Sequence, residues 1–282
     1  SSGGVDLDLK AGLVTGYNGQ SLANVDLRLI RKGMTLRDLK MTARSGRAPV
    51  TVGMSREDGE PQVTVRTNDG GSLLSFFDYY KRMEGGQLTL VTQGFGENVS
   101  GALSVRDFVL RNEPALGRLL QEGVSQRGEE RAAQLDASAV GFNRLAVTFR
   151  KNDGRFDIRE AIINGPSIGM TLEGMIDYPR NRVDMTGTFM PAYGVNNLFS
   201  KVPLFGPILG GGTNEGLFGV NFRVSGPASA PTLNINPLSA IAPGFIRKIF
   251  GAIDGAQTPA PPASVPQRSR QPSMPMSITP GQ

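Results

Sequence analysis

Apolar residues fall on every second position over most of this chain, with polar residues between them. Val5-Leu7-Leu9, Val25-Leu27-Leu29, Val50-Val52-Met54 and Val63-Val65 open the series. Leu88-Leu90, Leu103-Val105, Leu145-Val147-Phe149 and Phe156-Ile158 continue it, and Ile168-Met170-Leu172, Val183-Met185-Phe189, Phe218-Val220-Phe222-Val224 and Leu233-Ile235 close it. Successive side chains of a strand point to opposite faces, so this period predicts strands with one apolar face and one face of Asp, Arg, Asn, Thr and Ser. Turn-forming pairs separate the runs: Asp58-Gly59, Asn68-Asp69-Gly70-Gly71, Asn152-Asp153-Gly154, Asn164-Gly165-Pro166 and Gly226-Pro227. Lys151 to Arg155 reads as a tight hairpin, because Asn-Asp-Gly supplies the positive φ angles such turns need. Helical segments do not alternate with the strands, which argues against a doubly wound fold. The pattern predicts a mainly β protein: a long, curved antiparallel β-meander forming a groove, with a few short helices.

The helices are expected where the alternation lapses. Ser72 is placed to cap a helix running to Met83, with Leu73, Leu74, Phe76, Phe77 and Tyr80 as its apolar stripe and Gly85-Gly86 ending it. Asn112 is placed to cap a second, with Pro114 in its first turn and Leu116, Leu119, Leu120 and Val124 inside. Val195 to Lys201 and Phe245 to Phe250 are shorter candidates. An apolar insert punctuated by glycine and proline, Val195 to Gly212, separates the last strands. From about Ala256 the chain turns proline-rich and almost free of large apolar residues, too poor in burial to offset the entropy of ordering. Two regions are therefore expected: a β-groove domain over residues 1–255 and a disordered tail over residues 256–282.

Composition narrows the chemistry. The chain of 282 residues has no His, no Cys and no Trp. A His/Cys zinc site, a Ser-His-Asp triad and a cysteine nucleophile are excluded. A net charge of +5 without a basic run gives nucleic-acid binding little support. Asp6 and Asp8 share a strand face but lack a third ligand, so a solvated face outweighs a cation site. Glu129-Glu130, beside Arg127 and Arg131, reads as an exposed polar stretch. Gly94-x-Gly96 and Gly210-Gly211-Gly212 lack the strand-to-helix setting and the Lys-Ser/Thr of a phosphate loop. No cofactor is expected, and no enzymatic activity. What remains is apolar surface: about a dozen half-apolar strands with few helices to cover them must close, be sandwiched, or leave a groove for another apolar body such as an acyl chain.

Several blocks carry a family resemblance when taken in order. They are FDYYKRMEGGQL from Phe77, LSVRDFVLRNEPALGRLL from Leu103, GPSIGMTLEGMID from Gly165, GTFMPAYGVNNLFSKVPLFGPILGG from Gly187 and EGLFGVNFRVSGPASAPTLNINPLSAIAPGFIRKIF from Glu215. Together, over roughly residues 60 to 250, they resemble the C-terminal region of AsmA-like proteins of the YhdP-type branch, as found in alphaproteobacteria. Residues 1 to 60 match in style only, and the tail does not match. The resemblance implies a bridge-like lipid-transfer protein of the bacterial envelope. It would lie in the periplasm, be anchored to the inner membrane by an N-terminal helix that this chain lacks, and carry phospholipids between inner and outer membranes. The start at Ser1-Ser2-Gly3-Gly4, without Met, reads as a piece of a longer protein.

On this reading the lipid-binding candidates are Val63, Val65, Leu88, Leu90, Leu103, Val105, Leu145, Val147, Phe149, Ile158, Met170, Leu172, Met185 and Phe222. Phe245, Ile246, Arg247, Lys248, Ile249 and Phe250 are candidates for contact with a membrane or a partner, or equally for a cap packed on the last strands. The expected partners are phospholipids, with outer-membrane or envelope proteins next. The rival expectation is a structural or assembly factor of the envelope whose β core is closed and whose surface binds protein.

Overall fold

The computed structural model describes residues 3–33, 35–125, 138–166, 168–191 and 218–240. Thirteen strands pair antiparallel in the order of the chain, making one open sheet. They are β1 (Gly4–Thr15), β2 (Ser21–Lys32), β3 (Thr35–Ser45), β4 (Ala48–Glu57), β5 (Glu60–Thr67), β6 (Met83–Gln93), β7 (Val99–Arg111), β8 (Ala139–Asn152), β9 (Arg155–Asn164), β10 (Ile168–Asp177), β11 (Arg182–Pro191), β12 (Phe218–Gly226) and β13 (Thr232–Ala240). The expected meander is present. The tight turns follow the expected chemistry: Asp58-Gly59 has φ of 52° and 83°, and Asp153-Gly154 has φ of 48° and 75°. Positive φ at both central residues is the hairpin geometry whose twist matches that of the strands.

Two helices interrupt the meander, α1 (Gly70–Phe76) between β5 and β6 and α2 (Pro114–Ser125) between β7 and β8. Both leave the same end of the sheet, called here the helix end. The first is shorter than its apolar stripe predicts. Asp69, not Ser72, caps it: the carboxylate accepts from the Ser72 backbone N–H at 3.0 Å and from the Ser72 hydroxyl at 2.7 Å. The helix stops at Phe77 because Asp78 turns left-handed, with φ of 58°. Gly85 and Gly86, expected to end it, lie inside β6 with φ of 68° and 94°. Asn112 is left-handed at the exit from β7 and not a cap; Glu113 accepts from the Ala115 N–H at 3.3 Å instead. The candidate helices Val195 to Lys201 and Phe245 to Phe250, the insert, Glu129-Glu130 and the tail lie outside the described residues.

Register places the apolar residues in transverse rows. Ala43, Val50, Thr67, Leu88, Val105, Leu145, Ile163, Met170, Phe189 and Val220 oppose one another in turn, strand by strand. Most of this row is buried. On the helix side of it sit Phe108, stacked on Phe142 at 5.3 Å, with Leu110, Val140 and Ile168. Phe108 shares the strand parity of the outward-facing Arg106. It turns inward because Asp107 (φ 54°) and Gly86, opposite each other between paired positions of β7 and β6, both take left-handed backbone and reset the alternation.

The sheet curls around this core. Leading out of β7 and into β8, α2 nevertheless packs on β11, β12 and β13. On a flat sheet β8 and β13 would lie about 24 Å apart, whereas 12 helical residues span about 18 Å. Curling brings them together, and Leu116, Leu119 and Leu120 of α2 are buried in the concavity. Arg118 reaches the Leu233 carbonyl at 3.2 Å. At the other flank α1 meets the β1–β2 turn: the Tyr17 N–H donates to the Phe76 carbonyl at 2.9 Å.

Candidate functional site

All fourteen residues singled out for an apolar ligand lie on the concave face, in three neighbouring rows. Leu88, Val105, Leu145 and Met170 belong to the buried row. Val65, Leu90, Leu103, Val147, Leu172 and Phe222 stand two residues further from the helix end, in a row that runs from Met41 to Ile235. Val63, Phe149, Ile158 and Met185 form the third row, running from Met54 to Leu233. Rows two residues apart are separated by about 7 Å, and crossing ten strands takes about 43 Å. The apolar strip is therefore long across the strands and narrow along them. The six candidates from Phe245 to Phe250 lie outside the described residues.

Burial divides the strip. Leu88, Val105, Met170 and Phe222 are buried with the α1 and α2 side chains in one core. Val65, Leu90, Leu103, Leu145 and Leu172 are partly buried and pack against that core. Val63, Val147, Phe149, Ile158 and Met185 belong to neither group and stay partly exposed. They line the concave face away from the helix end, over β5 to β11. The candidate set did not include Val52, Met54, Phe156 and Val224, though they belong to the alternating runs, nor Ile176; register places all five on the same face. Their signal was the same alternation, read across to the facing strand.

Aromatic rings lie flat on glycines along this floor. A Cβ on Gly101 would stand 2.4 Å from the Phe149 ring, and one on Gly187 would stand 2.5 Å from that of Phe222. Each pair is directly cross-strand, so the ring fills the space its partner leaves and smooths the face. Phe149 also meets Phe156 at 5.6 Å, and Phe156 meets Tyr178 edge-on at 5.9 Å. Burial pushes the Tyr178 phenol above its ordinary pKa, with Tyr79 adding to the effect.

The convex face is polar. Arg28 of β2 contacts Asp6 and Asp8 of β1 and Asp38 of β3, and Lys10 contacts Asp26 at 3.3 Å. Arg223 holds Asp184 in a two-pronged bond of 2.7 and 2.8 Å, which keeps that carboxyl below the usual carboxylate range. Asp6 and Asp8 thus face a guanidinium on the solvated side. A shallow depression of about 660 Å³ on this side is lined by Arg155, Asp157, Arg159, Glu173, Asp184 and Arg223, among others. Its charges are of both signs, with Arg155 paired to Asp157 along β9 and Arg223 to Asp184 across strands. Among the described residues no group of three acidic, His or Cys side chains converges, and no helix is long and apolar enough to cross a membrane.

A second depression, of about 410 Å³, lies at the helix end and is lined by Lys81, Arg82, Met83, Glu84, Arg111 and Asn112. Arg111 pairs with Glu84, and Arg82 donates to the Asn112 carbonyl. Behind it, the Tyr80 hydroxyl donates to Glu113 at 2.7 Å. Burial, first, and that bond to a carboxylate, second, push the Tyr80 phenol far above its usual range. Tyr80 stays protonated and works as a strut between the two helix-bearing connections. Comparison with family models, with curated proteins and with solved structures gave no match.

Proposed function

We propose that this chain is a lipid-carrying segment of a bacterial envelope protein, with phospholipid acyl chains lying along the concave face and headgroups toward water. One observation carries the reading. Val63, Val147, Phe149, Ile158 and Met185 line the inside of the curl without joining the core, while the other side of β9 and β11 carries exposed ion pairs. Five apolar side chains left partly exposed inside a concavity can bury more area against an apolar ligand, and each methylene buried there contributes about 0.8 kcal/mol. Such a site recognises apolar length and needs no polar group. The ordered blocks that resemble AsmA-like proteins support the same reading and extend it to the periplasm, to anchoring at the inner membrane and to transfer between inner and outer membranes.

The buried row is then the floor of the groove, with α1 seated over β6 and α2 over β11 to β13. A photo-crosslinking residue at Val147 or Met185 is expected to capture phospholipid in cells, and one at Thr148 or Thr186, on the opposite face, is not. Equal capture from both faces would sink the proposal.

The second reading, a closed β core that serves as an assembly factor, draws on α2. Leu116, Leu119 and Leu120 already fill the concavity over β11 to β13. Organic extraction of the purified chain followed by mass spectrometry separates the two readings. Co-purifying phospholipid is expected for the groove, and its absence from a chain that stays folded favours the closed core.

A further inference from the structure

We propose that the loop from Phe77 to Arg82, with Tyr17 beside it, is a docking surface for an anionic phospholipid bilayer. This goes beyond the lipid-carrying reading and does not depend on it, since a closed β core would dock in the same way.

Three large aromatic side chains stand exposed together here: Tyr17 at 64%, Phe77 at 52% and Tyr79 at 56%. They are held, not trailing. The Tyr17 N–H is bonded to the Phe76 carbonyl, and the Tyr79 N–H to the Leu74 carbonyl at 2.9 Å. The Asn18 side chain donates both to the Ser75 carbonyl at 3.0 Å and to the Asp78 carboxylate at 2.9 Å, tying the two turns to each other. The buried Phe76 ring lies over Gly16, where a Cβ would stand 2.3 Å away, and supports Phe77 edge-on at 5.0 Å. Phe77 in turn lies 6.2 Å from Tyr79. A rigid platform of exposed rings loses little conformational freedom on binding, and it leaves apolar area in water that a folded chain has no internal reason to expose.

The charges around the platform name the partner. The next two residues, Lys81 and Arg82, line the helix-end depression with Arg111. The carboxylates nearby are Glu84, held by Arg111, Glu113, held by the Tyr80 hydroxyl and 3.8 Å from Arg82, and Asp78, held by Asn18. Among the described residues Lys81 makes no ion pair, and it is exposed. Rings whose hydroxyls can stay wet while their bodies enter the headgroup layer, beside a cation with no carboxylate of its own, match a phospholipid surface. A dry protein interface would call for a partner carboxylate at Lys81 and a socket for three rings.

The test is co-sedimentation of the whole chain with large vesicles, of phosphatidylcholine alone and of phosphatidylcholine mixed with phosphatidylglycerol. Binding is expected to both, tighter to the anionic vesicles and weakened by salt. The double substitution Phe77→Ser and Tyr79→Ser is expected to lower partitioning roughly tenfold on both vesicle types. Lys81→Glu is expected to lower it about fivefold on anionic vesicles only. Unchanged circular dichroism shows that each variant folds, and all three positions are exposed. No binding by the parent chain, or full binding by the double variant, overturns the proposal; so does an anionic preference that survives Lys81→Glu. Val147→Ser reports separately: it should leave sedimentation unchanged while reducing extractable lipid, so the docking and carrying readings fail independently.

Discussion

Truncating one phenylalanine at each end of the concave face tests whether the face is divided into core and site. Phe108 is 2% exposed, stacks on Phe142 at 5.3 Å and belongs to the core that also holds the α1 and α2 side chains. Removing its ring gives up about 2 to 3 kcal/mol of transfer energy and about 1 kcal/mol of ring pairing. The cavity left behind cannot fill with water, which brings the expected loss for Phe108→Ala to about 3–5 kcal/mol. Phe149 lies flat on Gly101 and touches Phe156, but it is partly exposed and lies outside the core. Its removal opens a dent to solvent and not a void, so Phe149→Ala is expected to cost about 1–2 kcal/mol. Urea unfolding of both variants, followed by circular dichroism, reads the difference as a shift in midpoint at constant slope. The functional readout runs the other way: Phe149→Ala should reduce the phospholipid that co-purifies, whereas Phe108→Ala should act on stability alone. If Phe149→Ala destabilises the protein as much as Phe108→Ala, the outer rows are core and the groove has no room for a ligand.

Two further outcomes follow from the backbone and from charge. Gly174 has φ of 138°, and a Cβ there would stand 2.3 Å from the Asp184 carbonyl oxygen, so Gly174→Ala should cost about 3 kcal/mol or more, measured as a lowered urea midpoint. The Asp177 carboxylate accepts from the Arg180 guanidinium and backbone N–H, each at 2.9 Å, and these bonds hold its pKa below the ordinary carboxylate value. A depressed folded-state pKa gives stability that is present above the unfolded carboxylate pKa, about pH 4, and is lost as pH falls through the folded one. Asp177→Asn should therefore flatten the acid limb of the stability–pH curve below that point, and an unchanged limb would show that the turn contributes nothing.

The strands and their inner face were legible because burial on one side imposes alternation that no turn or helix imitates. The fourteen candidate residues came to one face for that reason, and Asp153-Gly154 turns where its chemistry demands. The division of that face was not legible. Leu88 and Leu90 read alike in the sequence, yet Leu88 is sealed against Gly70 of α1 and Leu90 is only partly buried, because the seating of the helix on the sheet, and not the alternation, decides the cover. Phe108 was unreadable as core because Asp107 and Gly86 reset the alternation through backbone geometry. The length of α1 was overestimated because Tyr80 keeps the helical spacing while Asp78 has already turned the chain.

The order of the strands bears on how the molecule comes into being. Each strand hydrogen-bonds to those just before and after it in the chain, so the sheet closes short loops one at a time and postpones none for a distant partner. Folds built from such local pairings form rapidly, and here a hairpin can dock on the growing edge as soon as it emerges from a ribosome or a translocation channel. Longer closures join Asn18 to Asp78, 60 residues on, and Arg118 to Leu233, 115 residues on. The second, the longer of the two, is expected to form last, which makes the seating of α2 the step that completes the curl.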